Sequence, residues 1–141
     1  MRVASDILGW ANAQSSAADY STTAAQSGDL SETNLYSGPI SVRHLTNYAI
    51  QLSVTGAAPT GTFVLQASNS DPRLRDSKGF PDDASAMIWT EISGSSTVVA
   101  AVGTVTWNVA DAGYLYVRVV WTETPAATGA VVGRFVGKGA T

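Results

Sequence analysis

The sequence predicts an all-β protein, a single-domain antiparallel β-sandwich of jelly-roll-like character with an extended N-terminal arm. Three observations point there. Apolar residues recur at every second position from Ile40 onward, clusters of turn-forming residues separate these runs, and there is no cysteine to make a disulfide scaffold. With 141 residues the chain has the size of one domain and can bury a core without metal or disulfides. The expected division is residues 1–38 as an arm or tail and residues 39–141 as the sandwich, with residues 69–86 a long interface loop.

Residues 1–38 show no period of two. Ala11 to Thr33 is dominated by Ala, Ser and Thr. A cap at Ser5 or Asp6 would start a short helix that gathers Ile7, Leu8 and Trp10. Such a segment reads either as a poorly ordered tail or as an arm ordered on a neighbouring subunit, anchored by Ile7, Leu8, Trp10, Tyr20 and Leu35. Tryptophan and leucine exposed on a solitary tail are a liability, which favours the arm. Deleting residues 1–35 would then abolish attachment to a partner and leave the sandwich folded.

The first clear strand has Tyr48, Ile50, Leu52 and Val54 on one face and Ala49, Gln51, Ser53 and Thr55 on the other. Residues 56–61 turn the chain, and it returns with Phe63, Leu65 and Ala67 opposed to Thr62, Val64, Gln66 and Ser68. A polar excursion follows. Strands are expected again at Met87 to Ile92, at Thr97 to Val102, and around Val105, Trp107 and Val109. Asp111-Ala112-Gly113 turns the chain into a strand with Leu115, Val117, Val119 and Trp121 inward and Tyr114, Tyr116, Arg118 and Val120 outward. A loop from Glu123 to Gly129 leads to the last strand, Ala130 to Gly137. Read as a hairpin, these two strands pair Thr122 with Ala130, Val117 with Phe135 and Trp121 with Val131. Gly133 and Gly137 then leave room for Val119 and Leu115, and Tyr116, Arg118 and Arg134 share one outer face.

Composition excludes several function classes. The net charge is −3 and the eight Lys and Arg residues are dispersed, so no basic patch recognises nucleic acid. No apolar run reaches the length of a membrane span. The first residues lack a secretory apolar segment, so the chain is expected to fold in the cytoplasm. His44 is the single histidine, and no Ser or Asp spacing makes it a general base. Asp71, Asp76, Asp82 and Asp83 lie in the excursion without the alternation of a calcium loop, among Arg73, Arg75 and Lys78. Glycines do not form a phosphate loop. The expectation is therefore a protein that is not an enzyme, with no catalytic, cofactor-binding or metal-binding residue. Trp107 and Trp121 belong to apolar faces, whereas Trp89, with Tyr114 and Tyr116, offers an aromatic platform for a glycan. A loop as long as the excursion is uncommon without a role, and its mixed charges suit polar contacts across an interface.

Several segments resemble small β-sandwich structural proteins of tailed-phage virions. They are Ala49-Ile50-Gln51-Leu52, residues 59–69 (PTGTFVLQASN), Trp89-Thr90-Glu91-Ile92, residues 114–119 (YLYVRV) and residues 133–139 (GRFVGKG). The resemblance covers about two-thirds of the chain and leaves out the first 38 residues. It implies a virion protein made in the host cytoplasm and not secreted, of the head decoration (cement), vertex-spike, tail or fibre kind. Decoration is preferred, which implies the major capsid protein and further copies of the chain, as a homotrimer, as partners. The expected interface residues are Leu8, Trp10, Arg73, Arg75, Phe80, Tyr116, Arg118 and Arg134. The alternative is a glycan-binding or structural module of a phage tail, neck or fibre.

Overall fold

The computed structural model describes residues 2–11, 26–42, 45–69, 88–110 and 113–139. Every regular element among them is a strand. In chain order these are β1 (Arg2–Ile7), β2 (Trp10–Ala11), β3 (Gly28–Asp29) and β4 (Asn34–Ser37). Next come β5 (Ile40–Ser41), β6 (Asn47–Thr55), β7 (Gly61–Ser68) and β8 (Thr90–Glu91). The last four are β9 (Thr97–Val99), β10 (Gly103–Ala110), β11 (Tyr116–Glu123) and β12 (Ala130–Gly139).

They form two antiparallel sheets. The first runs β1-β12-β6-β10, with β3 on the end of β12. The second runs β2-β4-β11-β7-β8, with β5 also beside β11 and β9 also beside β7. The chain is a β-sandwich.

The inner faces are the apolar parities of the sequence. Ile50, Leu52 and Val54 of β6, Val105 and Trp107 of β10, and Val131 and Phe135 of β12 line the first sheet. Phe63 and Leu65 of β7, and Val117, Val119 and Trp121 of β11, line the second. Phe63 and Trp121 meet with ring centroids 4.5 Å apart. Such a core stabilises by roughly 25 cal/mol per Å2 of apolar area removed from water.

Three expectations are corrected by this arrangement. The first concerns the final hairpin. Strand β11 pairs with β7, β4 and β5, whereas β12 pairs with β6 and β1, so the loop between them crosses from one sheet to the other. Gly133 and Gly137 accordingly clear space for other residues than Val119 and Leu115. A Cβ on Gly133 would come within 2.6 Å of Leu8, and one on Gly137 would collide with Leu45.

The second concerns the N-terminal segment. Residues 2–7 are strand, not helix, and pair along β12 from Arg2 opposite Gly139 to Ile7 opposite Arg134. Leu8 and Trp10, each only 3% exposed, sit in this chain's own core, with Leu30 and Leu35. Trp10 lies 6.5 Å from Phe63, and the Trp121 indole N–H donates to the Leu30 carbonyl at 3.2 Å. The turn that inserts Leu30 is held by Asp29. Its carboxylate accepts the Ser31 hydroxyl at 2.7 Å and the Ser31 N–H at 2.9 Å, and these two bonds lower its pKa. The described parts of residues 1–38 are thus built into both sheets.

The third follows directly. Deleting residues 1–35 removes β1, β2, β3, half of β4 and four core side chains, so the remainder is expected to lose its core.

Breaks in the flanking strands are repaired by serines. Between β4 and β5 the chain passes Gly38-Pro39, and Pro39 has no N–H to give to a ladder. There the Ser37 hydroxyl, fully buried, accepts the Val119 N–H at 2.7 Å. Between β8 and β9 the Ser95 hydroxyl accepts the Leu65 N–H at 3.1 Å and donates to the Ile92 carbonyl at 2.6 Å. The Ser95 carbonyl in turn accepts the Trp107 indole N–H at 2.9 Å, which ties the rim of the second sheet to β10 of the first.

Tyr48 is buried against Phe135, with ring centroids 5.8 Å apart. Burial pushes its phenol up to about 12, and Tyr114 adds to the shift. A raised folded-state pKa means that the neutral phenol is favoured in the fold, so its contribution is complete below the ordinary value and fades as pH rises. The urea midpoint of the wild type should fall between pH 10 and pH 12. In Tyr48→Phe that part of the decline should be missing, and an unchanged pH profile would contradict the assignment.

Candidate functional site

The residues expected to make contacts separate into three groups. Arg73, Arg75 and Phe80 lie outside the described residues, as do His44, Asp71, Asp76, Asp82 and Asp83. Leu8 and Trp10 are core. Tyr116, Arg118 and Arg134 do not share a face, because β11 and β12 belong to different sheets: the first two lie on the outer side of the second sheet, Arg134 on the outer side of the first.

On the second sheet, cross-strand pairing aligns Glu91, Gln66 and Arg118 in one row across β8, β7 and β11. Parity sends Arg118 outward, yet it is only 5% exposed. Its Nε–H donates to Gln66 Oε1 at 2.9 Å. The guanidinium stacks at 4.2 Å from the Trp89 ring centroid and 4.9 Å from that of Tyr36. A planar, weakly hydrated cation between two π faces is favourable, the more so when desolvated. Tyr116 is buried beside it with Trp89 and Leu115 against it. The Trp89 indole nitrogen is buried without a hydrogen-bond partner. This group is a small polar-aromatic cluster laid over the sheet, with one face of Trp89 already occupied. The expectation that Arg118 stands free to meet a partner is corrected by that stacking. Tyr114 remains exposed.

The outer side of the first sheet is open and of mixed polar and apolar character. One depression of about 390 Å3 is lined by Asn47, Ala49, Asn108, Val136 and Lys138, among others. A second, of about 350 Å3, is lined by Gln51, Ser53, Thr104, Val132 and Arg134. Among the described side chains, this face carries amides, hydroxyls, the exposed Val132 and Val136 and two cations, with the carboxylate of Asp29 on β3 opposite Ala130. Its chemistry is that of hydrogen bonding beside small apolar patches. Among the described residues no group of three His, Asp or Glu could hold a metal ion, and no helix is long and apolar enough to cross a membrane.

A third surface was not singled out from the sequence. It is the flank at β9 and β10, where Val98 is 77% exposed and Val102 60%. The available signal was compositional, since no charged residue stands between Glu91 and Asp111.

No family model and no curated protein matches the chain. Among solved structures it is similar to the SPBc2 prophage-derived protein YomS, at 13% identity over 97% of this chain and 95% of that one, with a TM-score of 0.45. It is also similar to a Family 16 carbohydrate-binding module-2, at 13% identity over 71% of this chain and 64% of that one, with a TM-score of 0.33. Scores this low leave function to be argued from the residues.

Proposed function

We propose that the chain is a structural protein of a tailed-phage virion, and more specifically a head decoration protein that stabilises the capsid by bridging its subunits. The observation that carries this reading is where the resembling segments fall. Ala49–Leu52 lies in β6, residues 59–69 span β7, residues 114–119 enter β11 and residues 133–139 end β12. These four fall on the central strands of both sheets and the fifth, Trp89–Ile92, on the edge strand β8, so the resemblance concerns chiefly the framework. In this role the protein acts by distributed contact with no chemical step, and modest contacts repeated over a lattice reinforce a shell. The partners would be the major capsid protein and other copies of the chain.

A second reading is favoured by the depressions of the first sheet: a glycan-binding module of a tail, neck or fibre. Amides and hydroxyls beside small apolar patches on an open sheet face suit a polysaccharide. Trp89 supports it less, because Arg118 covers one of its faces.

Quantitative mass spectrometry of purified virions separates the two. A copy number equal to the capsid subunit count, or a simple fraction of it, is expected for decoration. A few dozen copies or fewer would move the protein to the tail, and none would end the virion reading.

A further inference from the structure

We infer that β10 is a pairing edge whose occupant is β10 of a second copy of this chain, aligned antiparallel about a two-fold axis. The inference concerns the isolated protein and does not rest on the virion reading. It replaces the trimer implied by the resemblance with a two-fold pair.

The edges of the two sheets end in different ways. An exposed edge strand offers unpaired N–H and C=O groups, and proteins blunt it with charge, proline, a bulge or brevity. In the second sheet the outermost strands β2, β8 and β9 are only two or three residues long. In the first sheet the sequence of β1 includes Arg2 and Asp6. Strand β10, Gly-Thr-Val-Thr-Trp-Asn-Val-Ala, has none of these devices. It runs eight residues, carries neither charge nor proline, and pairs with β6 in unbroken register from Gly103 opposite Val54 to Ala110 opposite Asn47. Among the described residues, its backbone makes no ladder on the other side.

The surroundings match. Two of the three most exposed large apolar side chains of the described residues, Val98 on β9 and Val102 just before β10, lie at this flank. Exposed apolar surface beside an unprotected edge marks an interaction site. The flank is also held in shape, since Trp107 donates its indole N–H to Ser95 between β8 and β9.

Charge selects the occupant. Two copies of a chain with net charge −3 repel over most of their surface, so a self-contact is favoured where no charge is found. Thr104, Thr106, Asn108 and Ala110 are exposed along β10. A two-fold axis makes the contact self-complementary and sets the two strands antiparallel. Hydroxyl and amide side chains then face their own kind across the seam, which stabilises cross-strand pairs and never sets like charges opposite. The result is one ten-stranded sheet whose outer face, with Arg134 and Lys138, is presented twice.

The test uses the full chain and two double variants at exposed positions, Thr106→Lys with Asn108→Lys, and Thr106→Glu with Asn108→Glu. Sedimentation velocity should show the wild type as a dimer. Each variant alone should self-associate at least about tenfold more weakly, because like charges then meet across the seam. A one-to-one mixture of the two should restore the dimer, with far-UV circular dichroism unchanged throughout. Hydrogen exchange in the wild type should protect alternate β10 amides with rising concentration. A monomeric wild type overturns the inference. So does an oligomer that both variants leave intact, or a mixture that fails to recover the dimer.

Discussion

Trp10→Ala should destabilise the isolated protein by about 3–5 kcal/mol, the cost of removing a large buried aromatic and leaving a cavity. Trp10 is 3% exposed and packs against Phe63, at the point where β2 joins β4. If the segment were an arm seated on a neighbour, the same change would leave the stability of each sandwich untouched and weaken only attachment. Urea unfolding of the isolated protein, read by the loss of β-structure, distinguishes the two. The companion change Trp10→Phe sharpens the test. The Trp10 indole nitrogen is buried without a hydrogen-bond partner, a condition that itself costs about 1–3 kcal/mol. Phenylalanine removes that burden together with some volume, so Trp10→Phe should cost much less than Trp10→Ala. Trp121 supplies the control, because its N–H is bonded to the Leu30 carbonyl. Trp121→Phe loses that bond as well as volume, and should cost more than Trp10→Phe. Equal costs for the two Phe variants would show that the N–H plays no part.

The misplacement of Trp10 shows where sequence patterning stops. A period of two is visible in β6, β7, β10, β11 and β12 because each runs eight residues or more. Strands β2, β3 and β5 have two residues apiece, too few to show any period, and they lie in Ala-, Ser- and Gly-rich sequence. Their burial comes from the long strands they join. The error over β11 and β12 has a different origin. Val117, Val119, Trp121, Val131 and Phe135 point inward whether the two strands pair side by side or face each other across the core. Parity therefore named the right inner residues while saying nothing about the partner. The edge at β10 was hidden for the same reason, since which strand lies outermost is a property of topology and not of alternation.

The same limit governs Arg118, for which parity correctly gave an outward direction and could not give burial. Arg118→Ala should destabilise the fold by about 2–4 kcal/mol, well above a surface arginine, because it removes the stacking on Trp89 and Tyr36 and the bond to Gln66 together. Arg118→Lys should recover little of this. Lysine keeps the charge but not the planar group that lies between two rings, and its compact ammonium resists desolvation. Tryptophan fluorescence reports the cluster directly, since losing the guanidinium opens Trp89 to water and should shift its emission to the red. A freely exposed contact residue behaves otherwise: Ala and Lys would both leave stability within about 0.5 kcal/mol and the emission unchanged. The stability of Arg118→Lys thus decides between a cluster built to hold β8 on the sheet and a charge displayed for a partner. If the cluster is structural, two surfaces of the described residues are left to meet other molecules, the open face of the first sheet and the flank at β10, and they meet along a single strand.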